Sequence, residues 1–141
     1  MYLININGSI SISKYIEFCL YNPKNGYYQK KQSIGYDFTT APEVSQIFGE
    51  CISIFFLFLL ENFKNKSITN TFIELGPGNG TLAKDILRVL KLNKEIREIE
   101  LILIEKSNML RNKQKYELKN SIINNKVTLK WAEKLNLKNI H

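Results

Sequence analysis

One stretch, Thr71 to Thr81, does most to limit what this chain can fold into. Thr71-Phe72-Ile73-Glu74-Leu75 is a short apolar run that ends around an acid. Gly76, Gly78 and Gly80 follow at alternate positions, and an amphipathic segment opens at Thr81. The pattern reads as a buried strand, a tight loop and a helix N-terminus. Glycine lacks Cβ, so the backbone can turn sharply and a ligand can approach it closely. The helix that follows offers unpaired N–H groups and the positive end of its dipole. Leu82, Ile86, Val89 and Leu90 mark its inner stripe. Ile99 to Ile104 reads as a second strand, Ser107 to Leu118 as a weaker helix with Ser107 as N-cap, and Val127 to Trp131 as a third strand. A β-α-β-α-β run with short links predicts a parallel sheet of the doubly wound type. Three strands make half of such a sheet, so the chain is expected to be either a fragment or dependent on another chain.

The segment before Thr71 has a different character. Tyr15, Ile16, Cys19 and Leu20 have helical spacing within Ser13 to Leu20, and Asn22-Pro23-Lys24-Asn25-Gly26 is a strong turn signal. Tyr27 and Tyr28 lead into a polar loop that runs through Gly35 to Thr40. Thr40-Ala41-Pro42-Glu43 has the spacing of a capping box, with proline tolerated in the first turn. The helix it opens, roughly Glu43 to Phe63, is apolar on nearly every side from Ile47 onward, which predicts burial between layers or under further chain. The expected organisation is a helical, substrate-side segment over residues 1–66 and the first half of a nucleotide-binding domain over 67–141.

Glu105 closes the second strand, twenty-five residues after Gly80. Ligands of open α/β sheets sit beyond the carboxyl ends of the strands, so Glu105 and the glycine loop share one edge. A carboxylate there can accept hydrogen bonds from both ribose hydroxyls of an adenosine; taken alone it is equally a solvated strand end. The dinucleotide fingerprint G-x-G-x-x-G would need glycine where this chain has Thr81. Glu74 would repel a pyrophosphate but could hold an ammonium group, directly or through water. The E-x-G-x-G-x-G form therefore points to S-adenosylmethionine (SAM) rather than a nicotinamide dinucleotide.

The longest apolar run, Cys51 to Leu60, is interrupted by Ser53 and falls far short of the ~20 residues that span a bilayer. No charged start followed by an apolar core suggests a secretory signal. Cys19 and Cys51 do not have the spacing of a metal knuckle, and two free thiols in a reducing cytoplasm is the expectation. The net charge of +7 invites a nucleic-acid partner, but the lysines are scattered. Joint heavy use of Lys, Asn and Ile is what AT-rich coding produces without selection for a basic surface, so a solvated surface is the preferred reading.

Gly35-Tyr36-Asp37-Phe38-Thr39-Thr40-Ala41-Pro42-Glu43-Val44-Ser45-Gln46-Ile47-Phe48-Gly49-Glu50 resembles the G-D-F-x-T-[AS]-P-E-[IV]-S-x-x-F-G-E pattern of the MidA-like SAM-dependent methyltransferases. That family includes the mitochondrial complex I assembly factor that methylates protein arginine. The resemblance continues through Glu74-Leu75-Gly76-Pro77-Gly78-Asn79-Gly80-Thr81-Leu82 and Leu103-Ile104-Glu105-Lys106-Ser107, and at Ile12 to Ile16, Pro23 and Gly26 to Tyr28. Tyr36 stands where the family usually has a glycine, and Asn79 where an arginine is frequent. Family members also run past this C-terminus, through an N-E-F-F-D segment absent here.

The resemblance implies a Rossmann-like class I SAM-dependent methyltransferase fold, with SAM held by Glu74, Gly76, Gly78, Gly80 and Glu105 and no metal. It implies that Asp37 and Phe38 meet the substrate. An acid there could orient a guanidinium by bidentate bonds, and an aromatic could stack on it. The expected substrate is a protein arginine, with a respiratory complex I subunit as one candidate, in a bacterial cytoplasm. The chain alone is expected to transfer methyl groups very slowly or not at all unless the missing C-terminal part is supplied in trans. Two rival readings stay open: an RNA methyltransferase on the same fold, and a non-catalytic fragment that binds SAM or a partner. Trp131 is expected to pack a core edge, and neither it nor His141 is assigned a catalytic role.

Overall fold

The computed structural model describes residues 8–29, 34–62, 70–93, 98–121 and 126–136. The expected boundary between residues 66 and 67 and the terminal His141 lie outside them. Helix α1 (Ile12–Tyr21) starts at Ser11, whose hydroxyl accepts from Lys14 N at 3.3 Å. It ends in the expected turn, where Asn22 Oδ1 accepts from both Lys24 N and Asn25 N at 3.0 Å. A 3₁₀ turn (Tyr27–Gln29) follows. The predicted long helix is two helices. α2 (Ala41–Val44) stops at Ser45, whose backbone is extended, and α3 (Gln46–Asn62) begins directly after it.

Strands β1 (Asn70–Leu75), β2 (Ile99–Ile104) and β3 (Val127–Ala132) pair in parallel in the order β1-β2-β3. They are linked through α4 (Thr81–Leu92) and α5 (Asn108–Leu118). Ser107 caps α5 as expected, accepting from Leu110 N at 3.3 Å. The inner face of α4 is Ala83, Ile86, Leu87 and Leu90, one position round from the stripe read from the sequence: Ala83 and Leu87 are buried where Leu82 and Val89 are only partly so.

Phe72 of β1 and Ile99, Leu101 and Leu103 of β2 pack with α4, Leu118 of α5 and Val127 into one core. These strand residues alternate in sequence, so they share a sheet face. Both linking helices lie on that face. Right-handed crossovers that step the same way across a sheet put their helices on one side, and the other side is filled only when the strand order reverses. The opposite face, with Ile73, Ile102 and Ile104, is accordingly uncovered by any described helix, and Leu75 there is 65% exposed.

Helix α3 packs on α4, and Phe56 meets Phe72 edge-on at 4.2 Å. The contact uses a glycine. Gly49 is buried against Asp85 of α4, and a Cβ at position 49 would fall against Asp85 Cβ and Oδ2 and 2.8 Å from its Cγ. Arg88 binds Asp85 Oδ1 at 3.1 Å and Glu50 Oε1 at 3.0 Å, tying the two helices together. The far side of α3 is not covered between layers of the described residues: Ile47, Ile54, Phe55 and Phe58 are all more than half exposed, which leaves cover by further chain as the open expectation. No described helix is long and apolar enough to cross a membrane.

Candidate functional site

Gly76, Gly78 and Gly80 have φ of 67°, 56° and 83°, so each alternate position of the loop lies in the left-handed region where a side chain is strained. Gly78 is also approached closely, since a Cβ there would stand 3.1 Å from Ile34 Cδ1. The loop is pinned from three sides. Gly76 N donates to Ile104 O at 2.9 Å, and Gly80 N to Pro77 O at 2.8 Å. Gln114, fully buried on α5, donates from Nε2 to Gly78 O at 2.7 Å and accepts Trp131 Nε1 at 3.1 Å. Trp131 thus packs at the core edge, as expected, with a polar handle on the loop's support.

A cavity of about 340 Å³ opens above this loop, within the ~300–1,000 Å³ of small-molecule pockets. Gly76, Gly78, Asn79 and Thr81 form one wall, with Glu74 and Glu105 at the ends of their strands. Phe38 and Glu43 from the N-terminal segment, with Tyr21 and Tyr28, form another. The sequence-predicted residues Phe38, Glu74, Gly76, Gly78 and Glu105 are therefore brought together. Two are not in the lining. Gly80 lies behind the loop against Gln114, and Asp37 is exposed, its Oδ2 accepting the Tyr27 hydroxyl at 2.7 Å.

The acids are held in different ways. Glu74 is buried enough to push its carboxyl up to about 7, and its Oε2 is buried with no hydrogen-bond partner. Glu105 is 5% exposed, so it is not a solvated strand end. Its Oε1 accepts Ser107 N at 2.7 Å. Burial pushes its carboxyl pKa up, while bonds from Ser107, Gln114 and Lys106 oppose that rise. The aromatic wall is fixed locally. Ser107 Oγ donates to Tyr28 O at 2.6 Å, Tyr21 and Tyr28 are 5.6 Å apart, and Phe38 stacks on Tyr27 at 6.4 Å.

Glu43 corrects the capping-box reading. Thr40 makes no side-chain capping bond, and Glu43 does not fold back on the helix start. Its Oε1 instead accepts from Asn79 Nδ2 in the glycine loop, and Asn79 Oδ1 in turn accepts Lys113 Nζ at 2.7 Å. Glu43 Oε2 is buried without a partner. The capping pattern concealed this in the sequence; the acid's place between Pro42 and Ser45 in the quoted motif was the available signal. Gln114 carried no such signal, being one more polar residue on a polar helix.

The site can be set against known proteins. Residues 51–140 match the model of a family described as "Putative S-adenosyl-L-methionine-dependent methyltransferase". A Drosophila melanogaster protein, "Protein arginine methyltransferase NDUFAF7 homolog, mitochondrial", is 39% identical over 111 residues, which is 76% of this chain and 25% of the fly protein. The human "Protein arginine methyltransferase NDUFAF7, mitochondrial" is 45% identical over 91 residues, 63% of this chain and 20% of its own length. A crystal structure of a COG1565 superfamily member from Burkholderia thailandensis, bound to S-adenosyl-homocysteine, superposes with a TM-score of 0.71 at 29% identity. It covers 96% of this chain and 36% of that one. The chain thus spans a quarter or less of these two curated relatives. The bacterial cytoplasmic location expected from the sequence is overturned by them, since both are mitochondrial proteins. Cys19 and Cys51 are free and exposed.

Proposed function

Because the chain belongs to this family of SAM-dependent methyltransferases, we propose that its cavity is the cofactor half of a methyl-transfer site that acts on a protein arginine. The observation that carries the reading is convergence. A loop with three left-handed glycines and three carboxylates from separate elements meet at the carboxyl ends of β1 and β2, and two carboxylate oxygens there lack a partner. Burying a carboxylate oxygen without a donor costs free energy, and a cationic ligand supplies the donor. The acidic lining suits the ammonium of SAM and disfavours both a pyrophosphate and a phosphate backbone.

In this reading Glu74 takes the ammonium and Glu105 the ribose hydroxyls, while Gly76, with open space at its Cβ position, lets the ligand approach the backbone. Bound SAM would supply a methyl group on a sulfonium, and the protein has mainly to align the accepting nitrogen and provide for its proton. Phe38 offers a face for the substrate, with Asp37 steadying the segment through Tyr27. The bare sheet face, the free edge of β1 and the exposed side of α3 are where the rest of a full-length relative would pack. A respiratory complex I subunit as substrate follows from the family resemblance alone. Calorimetric titration tests the reading: SAM or S-adenosyl-homocysteine should bind and NAD should not. Clear NAD binding without SAM binding overturns it.

A further inference from the structure

Glu43 comes from α2, outside the strand-loop-helix unit that forms the glycine wall, yet it reaches that wall. One oxygen is fixed by Asn79, and Asn79 is itself fixed by Lys113. The other oxygen is buried and has no hydrogen-bond partner, on a residue that lines the cavity. Among the described residues no ion pair involves Glu43 or Glu74. A carboxylate oriented by one oxygen and left open at the other is arranged to accept from something that enters. Tyr21, Tyr28 and Phe38 line the same cavity. A carboxylate next to aromatic faces suits a flat, delocalised cation better than a compact ammonium, because a guanidinium can donate in its plane while stacking through its face.

We propose that Glu43 is a substrate-recognition residue whose Oε2 accepts from the guanidinium of the arginine, while its Oε1 stays on the glycine loop through Asn79. This rests on the reading above, in which Glu74 and Glu105 are committed to the cofactor. It also explains why an acid follows the proline. The same side chain joins the substrate segment to the cofactor loop and presents one oxygen to the incoming cation.

The test uses Glu43→Gln, whose amide oxygen can still accept from Asn79 while the position of the free oxygen becomes an NH₂ donor. The chain saturated with S-adenosyl-homocysteine is titrated with Gly-Arg-Gly and with Gly-citrulline-Gly, a neutral isostere, by NMR shift perturbation. The wild type should prefer the arginine peptide at least tenfold. Glu43→Gln should bind S-adenosyl-homocysteine within about twofold of wild type and lose that preference. No arginine preference in the wild type overturns the proposal with no variant needed. So does a variant that keeps the preference, or one that loses cofactor affinity instead, which would place Glu43 in the cofactor site. Failure of the wild type to bind S-adenosyl-homocysteine is a separate result and counts against the methyltransferase reading itself.

Discussion

Replacing Gly49 with alanine should destabilise the protein, although it puts a better helix former near the start of α3. Propensity alone favours Gly49→Ala by roughly 0.5–1 kcal/mol. The local geometry opposes it. The added methyl meets Asp85 at its Cβ, so rotating the Asp85 side chain cannot clear the contact, and its Cγ lies only 2.8 Å away. Either α3 lifts from α4, or Asp85 swings and gives up its 3.1 Å bond to Arg88. Overpacking of this kind costs roughly 1–3 kcal/mol, and because the contact includes the Asp85 backbone-attached Cβ the upper half of that range applies, leaving a net loss of roughly 1–2.5 kcal/mol after the propensity gain. For a domain of this size that lowers the melting temperature by roughly 2–4 °C per kcal/mol.

Urea and thermal unfolding of the two proteins measure the effect. Asp85→Gly provides the check, because it removes every atom the new methyl would strike. It is destabilising alone, since it breaks the Arg88 pair and puts glycine in α4. The Gly49→Ala and Asp85→Gly costs should therefore not add: the double variant should be at least ~0.5 kcal/mol more stable than their sum. A Gly49→Ala protein as stable as wild type, or an additive double variant, would show that the helices are not in contact through this glycine.

Three further outcomes are expected. Glu74 has a folded value near 7 against an ordinary 4.5, so the folded state binds the extra proton between those values and stability should fall as pH rises from about 4.5 to 7. The full span is on the order of 3 kcal/mol; Glu74→Gln should flatten that part of the unfolding profile, and an unchanged profile would refute the assignment. Glu105→Ala should weaken SAM binding roughly ten- to a hundredfold by calorimetry, and it should also cost on the order of 1–3 kcal/mol in urea unfolding, because Ser107 N loses its buried acceptor. The exposed side of α3 should make the chain self-associate in sedimentation, and Phe55→Ser with Phe58→Ser should reduce that, since both rings are more than half exposed; no association in the wild type, or association unchanged in the variant, would refute this.

The β-α-β-α-β half was legible because its signals are local. The short apolar run Ile99 to Ile104, three glycines at spacing two and a serine before α5 each specify backbone geometry within a few residues, whereas the order β1-β2-β3 is seen only in the structure. The residues that line the cavity from outside this unit were less accessible, for two physical reasons. Thr40 and Glu43 have the spacing of a capping box, and that local explanation is complete in itself; only the tertiary approach of Asn79 shows that Glu43 is used elsewhere. Asp37 and Phe38 are adjacent, yet Phe38 lines the cavity and Asp37 faces out to Tyr27, because Asp37 lies within a turn that Phe38 closes by accepting from Gly35 N. For α3 the alternatives left open by the sequence were cover between layers and cover by further chain. An all-round apolar helix implies cover on every side, but it does not say which chain provides it, and here only the side packed on α4 and Phe72 is covered by described residues. The quoted Phe48-Gly49-Glu50 segment then divides by chemistry rather than by position. Gly49 admits Asp85, and Glu50 shares Arg88 with it. That pair of residues is thus accounted for by helix packing, and the parts of the motif that line the cavity are Phe38, Thr40, Pro42 and Glu43.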